Sequence, residues 1–419
     1  MRLELRRTSC VIAKEGNVNP SVEDRPGRRN IVALGVVSFL TDISSEMTLT
    51  LLPLFLADTL GTKVAIIGLI EGIAESTATL LKLVSGWVSD RLRRRKALAV
   101  LGYGLSAFSK PFLYLANAWG PVLGIRFADR VGKGLRTAPR DALVADSAGE
   151  NGQGRAFGLH RALDTAGAVW GTGIAAIVIF LSQQGAEILN RATYQRLVLV
   201  GIVPGLLAVL VLLLLVREAR PRASTASLPR LSLRGYDRRF YIFLAAVVLF
   251  TLGNSSDAFL LLRARNLGLS AVQVALMVFA FNGLYSLLSM PLGALSDRVG
   301  RRRVILLGWG IYGLIYLGFA LARVGWQVAL LYILYGLYYA AFEGTSRALV
   351  ADTVPDSARR GTAYGLYHFA VGVTAFPASL LAGLLWQTIA PAAPFYFGAF
   401  LVLLAALLFA FGVRPVRQE

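Results

Sequence analysis

The sequence has very few of the side chains that soluble catalysts and metal sites use. Its 419 residues include one cysteine, Cys10, and two histidines, His160 and His368. A single cysteine excludes an intrachain disulfide and leaves too few thiolates for a metal site. No H-E-x-x-H, G-x-S-x-G or Walker phosphate-loop pattern occurs. We therefore expect no metal, no other cofactor, no enzymatic activity and no use of ATP.

Charge is also scarce, which excludes an ordinary soluble domain. Charged residues make up 16% of the chain and hydrophobic residues 56%, whereas soluble domains contain roughly 25% charged residues. An apolar run of about 20 residues can cross a bilayer as a helix. Twelve such runs lie near 31–56, 63–86, 97–117, 119–139, 155–181, 195–216, 240–262, 270–293, 303–322, 326–349, 362–387 and 392–413. The sequence predicts an all-α polytopic membrane protein with twelve transmembrane helices, called spans 1 to 12 below.

The net charge of +19 is explained by topology and needs no nucleic-acid partner. The two tails and the even-numbered loops carry 29 Lys and Arg residues, whereas the odd-numbered loops carry six. Basic residues concentrate in cytoplasmic segments. Residues 1–30 contain no apolar core of a signal peptide and are expected to form a cytoplasmic arm. We predict a multi-pass protein of a bacterial-type inner membrane, with both termini in the cytoplasm.

The chain is predicted to be a tandem of two halves. Residues 217–239 are basic and Ser-rich, contain Pro221 and Pro229, and separate six runs from six. The expected organisation is an arm (1–30), a six-helix bundle (31–216), the linker (217–239), a second bundle (240–413) and a tail (414–419).

Four short segments recur in the same order in both halves, at an offset of about 207–211. One of them, Ser44-Ser45-Glu46, is matched by Ser255-Ser256-Asp257. Parallel repeats of this kind, related by a pseudo-twofold axis along the membrane normal, are typical of secondary transporters.

The most specific repeated segment is a basic loop after the second run of each half. It reads G-W-V-S-D-R-L-R-R-R-K in the first half and G-A-L-S-D-R-V-G-R-R-R in the second. The shared positions are Gly86, Asp90, Arg91 and Arg94 in the first half, and Gly293, Asp297, Arg298, Gly300 and Arg301 in the second. With this loop the chain resembles a twelve-helix member of the major facilitator superfamily. The resemblance implies two pseudo-symmetric six-helix bundles and a cytoplasmic latch formed by these residues.

Polar and charged residues inside the runs predict the working site. A charge at the bilayer centre costs about 2.5–3.5 kcal/mol on insertion scales, so such residues usually face a cavity or a partner. The candidates for proton coupling and the substrate cavity are Asp42, Glu46, Glu71, Glu75, Arg126, Asp129, Arg130, Asn254, Asp257, Asn282 and Glu343. Most of the acids lie in the first half, which predicts that this half handles the coupling ion. Glu46 is the favoured coupling acid, with Arg126 as a nearby cation.

Spans 4 and 5 carry two further patterns of the superfamily. Arg126 begins a segment similar to the antiporter motif R-F-x-[QD]-G-x-G-x-G, with Arg130 in place of the first glycine. In span 5, Gly158, Gly167 and Gly171 match the spacing of a glycine motif that implies tight helix contacts. This resemblance favours antiport, and hence efflux.

The sequence therefore predicts a monomeric secondary transporter that moves a small organic solute across the bilayer. Transport is predicted to be coupled to protons, and the motifs favour efflux over uptake. The alternatives are a proton-coupled importer of an anionic solute or metal chelate, and a lipid scramblase on the same scaffold. The basic stripe on span 4 favours anionic or zwitterionic solutes, whereas the acids of spans 1 and 2 favour cations. The tyrosines of spans 9 and 10 are interpreted mainly as lipid-facing or interfacial.

Overall fold

The computed structural model describes residues 25–92, 94–148, 153–183, 187–218, 236–353 and 357–412, and every regular element in these ranges is helical. The spans of the first half are Arg25–Leu49 with Leu52–Leu54 and Phe55–Thr59, Val64–Leu92, Arg95–Ser109 with Lys110–Leu115, Trp119–Ala148, Gln153–Gln183 and Arg191–Leu215. The spans of the second half are Arg238–Gly253 with Ala258–Asn266, Ala271–Val299, Arg301–Leu321, Gly325–Thr353, Ser357–Thr388 and Ala393–Gly412. Most of the predicted arm, linker and tail lies outside the described residues.

Eleven of these spans are long and apolar enough to cross a membrane by length and composition, counted over the described residues. Span 4 is the exception, because charged residues lower its hydropathy. Its Arg126, Asp129, Arg130 and Arg136 are nevertheless buried, so the polar face of span 4 is turned toward the protein interior. Span 4 therefore completes the predicted set of twelve.

The two halves pack with the symmetry of the repeat. Span 2 packs against span 11, and span 5 packs against span 8. In the repeat, span 2 is equivalent to span 8 and span 5 is equivalent to span 11. The two contacts are therefore equivalent to each other. The contact between the halves is thus made twice by equivalent helices, as a pseudo-twofold axis requires.

The halves also contact each other closely at one membrane face. Twelve antiparallel spans put residues 25 and 412 on the same face, which we call the terminal face; the opposite face is the far face. At the far face, the Arg265 Nε of span 7 lies 2.9 Å from the Asp58 Oδ2 at the end of span 1. Nearby, a Cβ built on Gly383 of span 11 would lie 2.9 Å from the Cα of Ala65 at the start of span 2. The far face is therefore closed by close backbone contact and an ion pair.

Small residues also set the packing of span 5 on span 1. A Cβ at Gly167 would lie 2.9 Å from the Cα of Phe39, and one at Gly171 would lie 2.9 Å from the Cα of Ile43. A Cβ at Gly158 would meet no atom within 4 Å. The expectation of a helix contact at Gly158 is therefore wrong, because this end of span 5 has open space beside it.

The basic loops contact their own half in the residues that the structure describes. Gly86 faces span 4, with 3.4 Å between its built Cβ and the Cβ of Ala138, while Arg91 lies over the Trp87 ring and Arg94 is exposed. Gly300 has a φ of 96°, a conformation that favours glycine, and it precedes Arg301 at the start of span 9. The side chains of Asp90, Asp297 and Arg298, and the surroundings of Gly293, lie outside the described residues. The latch therefore stays a prediction.

Candidate substrate cavity

A cavity of about 480 Å³ lies between the two halves. Residues of spans 1, 2 and 4 form one wall, and residues of spans 7, 8, 10 and 11 form the other. Ten of the eleven residues predicted for the site line it: Asp42, Glu46, Glu71, Glu75, Arg126, Asp129, Arg130, Asn254, Asp257 and Asn282. The side chain of Glu343 lies outside the described residues. These residues face the cavity because buried charge in an apolar span usually faces a cavity or a partner; their role in transport stays a prediction.

Two ion pairs, one helical turn apart, join spans 2 and 4 on the first wall. Glu71 and Glu75 are one helical turn apart, as are Arg126 and Arg130, so each pair lies on one helix face. The Arg126 Nη2 lies 2.8 Å from the Glu71 Oε2, and the Arg130 Nη2 lies 3.3 Å from the Glu75 Oε1. Arg126 therefore has its counter-charge in span 2 and not in span 1.

Span 1 contributes acids of a different kind. Asp42 and Glu46 line the cavity, and neither has a cation within 4.0 Å in the part of the chain that the structure describes. Glu46 accepts a hydrogen bond from the Thr50 hydroxyl, one turn further along span 1. Glu46 is thus an acid that faces the cavity and is held by a neutral donor.

Three cations of the first half were missing from the predicted site. Lys133 and Arg136 line the cavity one and two turns after Asp129. Lys110 is buried, and its Nζ donates to the hydroxyls of Ser44 at 3.2 Å and Ser45 at 2.7 Å. The sequence could have indicated Lys110, because a lysine deep in span 3 needs polar partners. The repeated serine pair of span 1 supplies them.

The second wall is polar and aromatic, and it is built around a break in span 7. The helix ends at Gly253 and resumes at Ala258. The Asn254 Oδ1 accepts from the Tyr312 hydroxyl at 3.2 Å, and the Asp257 Oδ2 accepts from the Tyr339 hydroxyl at 2.9 Å. The span predicted near 240–262 is thus made of two helices, because irregular backbone is stable at this depth when it lines a cavity.

The tyrosines of spans 9 and 10 are interior residues. Tyr312, Tyr316, Tyr332, Tyr335 and Tyr338 are at most 3% exposed, and Tyr312 stacks on Tyr316 with ring centroids 4.1 Å apart. The lipid-facing interpretation is therefore wrong for these five. Their hydroxyls need partners when buried, and the break in span 7 offers an amide and a carboxylate.

Comparison with known proteins shows what this architecture is. The family model of the Major Facilitator Superfamily matches residues 34–263 and 242–419. The chain belongs to this superfamily. An uncharacterised MFS-type transporter of Methanocaldococcus jannaschii is 34% identical over 407 residues, which are 96% of this chain and 99% of that protein. An uncharacterised protein of Mycobacterium tuberculosis is 28% identical over 369 residues, covering 86% of this chain and 87% of its own length.

Solved structures of superfamily members have the same fold. A point variant of the nucleoside transporter NupG has a TM-score of 0.78 at 16% identity, covering 92% of this chain and all of its own. A bacterial homologue of the human lysosomal transporter Spinster, inward-facing and occupied, has a TM-score of 0.71 at 15% identity and covers 91% and 96%. The chain is therefore an MFS-type membrane transporter with the two-bundle fold, and not an enzyme.

Among the described residues, no group of three or more His, Cys, Asp and Glu side chains is arranged to hold a metal ion. The acids of the cavity are spread over spans 1, 2, 4 and 7 and alternate with cations. The described cavity offers paired and unpaired charges on one wall and hydroxyl, amide and carboxylate groups on the other.

Proposed function

We propose that this superfamily member exchanges a small organic solute for protons by alternating access and works in the direction of efflux. The observation that carries the proposal is the cavity between the halves, in which a charged wall faces a polar, aromatic wall. Glu46 is the proposed proton carrier, because it faces the cavity, accepts a hydrogen bond from the neutral Thr50 hydroxyl and has an acid, Asp257, at the matching position of the second half.

The contacts between the halves are the ones that change in the proposed transport cycle. In the proposed cycle, the far-face contacts separate as the terminal face closes, and spans 2 with 11 and 5 with 8 slide against each other. If the termini are cytoplasmic, closure of the far face leaves the cytoplasmic side as the proposed entry route for solute, as export requires. The spans keep their internal hydrogen bonds throughout, so the motion needs no unfolding within the membrane.

Proton coupling follows from competition within the cavity. A solute that binds the cations of span 4 better in one protonation state of Glu46 than in the other shifts the population of the two access states. Movement of solute and proton then becomes linked, because each binding event changes the other.

Proton flux that depends on solute tests this function directly. A thermal-shift screen on the purified protein would first select solutes that raise its unfolding temperature. In proteoliposomes with a pH-sensitive dye inside, addition of a selected solute is expected to move protons opposite to the labelled solute. Solute transport without any accompanying proton movement would contradict the proposal.

The proposed topology makes a labelling prediction. In a Cys10→Ser background, Ser224→Cys in the predicted linker is expected to react with a membrane-impermeant thiol reagent only in inverted membrane vesicles. The reason is the strong excess of Lys and Arg on the terminal face. Reaction in intact cells would contradict cytoplasmic termini.

The far-face ion pair makes a conformational prediction. Asp58→Asn removes the charge that holds Arg265 and keeps the side-chain size, so the far face is expected to open more often. In a Cys10→Ser background, a cysteine in place of Val278, which lines the cavity, should then react several-fold faster from outside. Asp237→Asn, an exposed acid on the terminal face, is the matched control. Equal labelling rates in the two variants would show that the pair does not gate access.

A further inference from the structure

The Glu71 carboxylate lies at the point where the two halves meet. It is 2% exposed, and its Oε2 accepts from the Arg126 Nη2 at 2.8 Å in its own half. The same oxygen accepts from the Ser256 hydroxyl at 3.5 Å, across the cavity in the break of span 7. Glu71 thus links the charged wall to the broken helix.

Arg126 has more hydrogen-bonding capacity than Glu71 uses. A guanidinium carries five N–H donors in a fixed plane. The Nε and Nη1 of Arg126 are buried without a hydrogen-bond partner among the described residues, as is the Glu71 Oε1. Arg126 is 5% exposed and lines the cavity. Unsatisfied buried donors are unfavourable, most of all on a charged group, so the arrangement favours a further anionic acceptor.

The second half of span 7 adds a positive end at the same place. Ala258–Asn266 is a nine-residue helix, and Ala258 at its start lines the cavity. The Ser256 hydroxyl that donates to Glu71 also accepts from the Ala258 backbone N at 3.3 Å. Helix N-termini carry partial positive charge, and those of interrupted spans point at anionic substrate groups in other transporters.

We propose that Arg126 and the start of the second half of span 7 form an anion subsite, which Glu71 occupies until a carboxylate of the solute takes its place. This inference rests on the proposed function and names its substrate class: an organic carboxylate. A carboxylate is favoured over other anions because the group that occupies the subsite is itself a carboxylate. The rest of the solute then faces Phe281, Tyr332 and Tyr339, which line the opposite wall and suit a ring or a hydroxylated chain.

Displacement of Glu71 has a mechanical consequence. The exchange of one carboxylate for another keeps Arg126 paired, so the cavity never holds an uncompensated buried cation. It also releases Glu71 from Ser256, the hydrogen bond that joins the two walls at this depth. Binding of solute is thereby connected to the relative movement of the halves.

The test compares benzoate with benzamide, a neutral molecule of nearly the same shape, as ligands of the detergent-purified full chain at constant ionic strength. Glu71→Gln removes the resident charge and keeps the shape, so benzoate is expected to bind about tenfold more tightly than to the wild type, which corresponds to about 1.4 kcal/mol. Benzamide affinity should be unchanged. Lys63→Gln removes an exposed charge from the far-face loop and serves as the control.

A double variant keeps the test valid if loss of Arg126 alone prevents folding. Glu71→Gln with Arg126→Gln removes both members of the ion pair, and in it the preference for benzoate over benzamide is expected to vanish. Equal binding of benzoate and benzamide by Glu71→Gln, absence of benzoate binding in that variant, or a benzoate preference that survives in the double variant would each overturn the proposal. The measurement uses no pH gradient, so failure of proton coupling with intact benzoate selectivity would contradict only the proposed function.

Discussion

Glu46→Gln is expected to abolish accumulation of solute against a pH gradient while solute exchange at equal pH continues. Glu46 lines the cavity, and its described hydrogen bond comes from Thr50, a neutral donor. Glutamine keeps the shape and the bond to Thr50 but cannot release a proton. The variant should therefore still carry solute through the alternating cycle, without the step that links the cycle to the proton gradient.

Gradient-driven accumulation and exchange at equal pH can both be measured in proteoliposomes that contain purified protein and a labelled solute. Accumulation with an imposed pH gradient is expected to fall to the level of protein-free liposomes, and counterflow without a gradient to stay at the wild-type rate. Glu187→Gln, an exposed acid in a far-face loop, is the matched control and should behave as the wild type. Full gradient-driven accumulation by Glu46→Gln would exclude Glu46 as the coupling group and direct attention to Glu71, Glu75 or Asp129.

Gly167→Leu is expected to prevent recovery of folded protein, whereas Gly158→Leu is expected to be tolerated. At Gly167 even a Cβ would lie 2.9 Å from the Cα and 3.0 Å from the carbonyl carbon of Phe39. These are backbone atoms of span 1, so they yield only if the two helices separate. Overpacking costs about 1–3 kcal/mol in well-packed cores, and a leucine against backbone is expected to lie at the upper end.

Size-exclusion chromatography and thermal unfolding of detergent-purified protein measure this difference. The comparison is matched, because both glycines lie in span 5 and leucine is a good helix former in each. A Gly167→Leu variant with the elution profile and unfolding temperature of Gly158→Leu would show that the packing of spans 1 and 5 is looser than the structure indicates.

The residues of the cavity could be predicted from the sequence, whereas most of their pairings could not. Glu71 and Arg126 are each improbable inside an apolar span, and this cost alone placed them in the interior. That Arg126 pairs with Glu71 and not with Glu46 depends on the packing of span 4 against span 2. Spacing within one helix determines which residues share a face, but it does not determine which neighbouring helix that face meets.

The break in span 7 could not be predicted from the sequence, although its polar residues are visible there. Asn254, Ser255, Ser256 and Asp257 interrupt an apolar run with side chains that compete for backbone hydrogen bonds, and such residues also occur inside unbroken helices. The break becomes favourable because Tyr312, Tyr335 and Tyr339 reach it from spans 9 and 10. The same contacts explain why these tyrosines lie inside the protein and do not face lipid.

The sequence by itself determined the membrane class, the twelve spans, the duplication and the set of charged residues that must avoid lipid. Each of these follows from a local or additive property: the length of apolar runs, the one-sided placement of Lys and Arg, and the cost of each buried charge. Only the tertiary structure decided the ion-pair partners, the interrupted helix, the closed far face and the different surroundings of Gly158 and Gly167. These depend on the distances between helices that are remote in the chain, and such distances result from the packing of all twelve spans together.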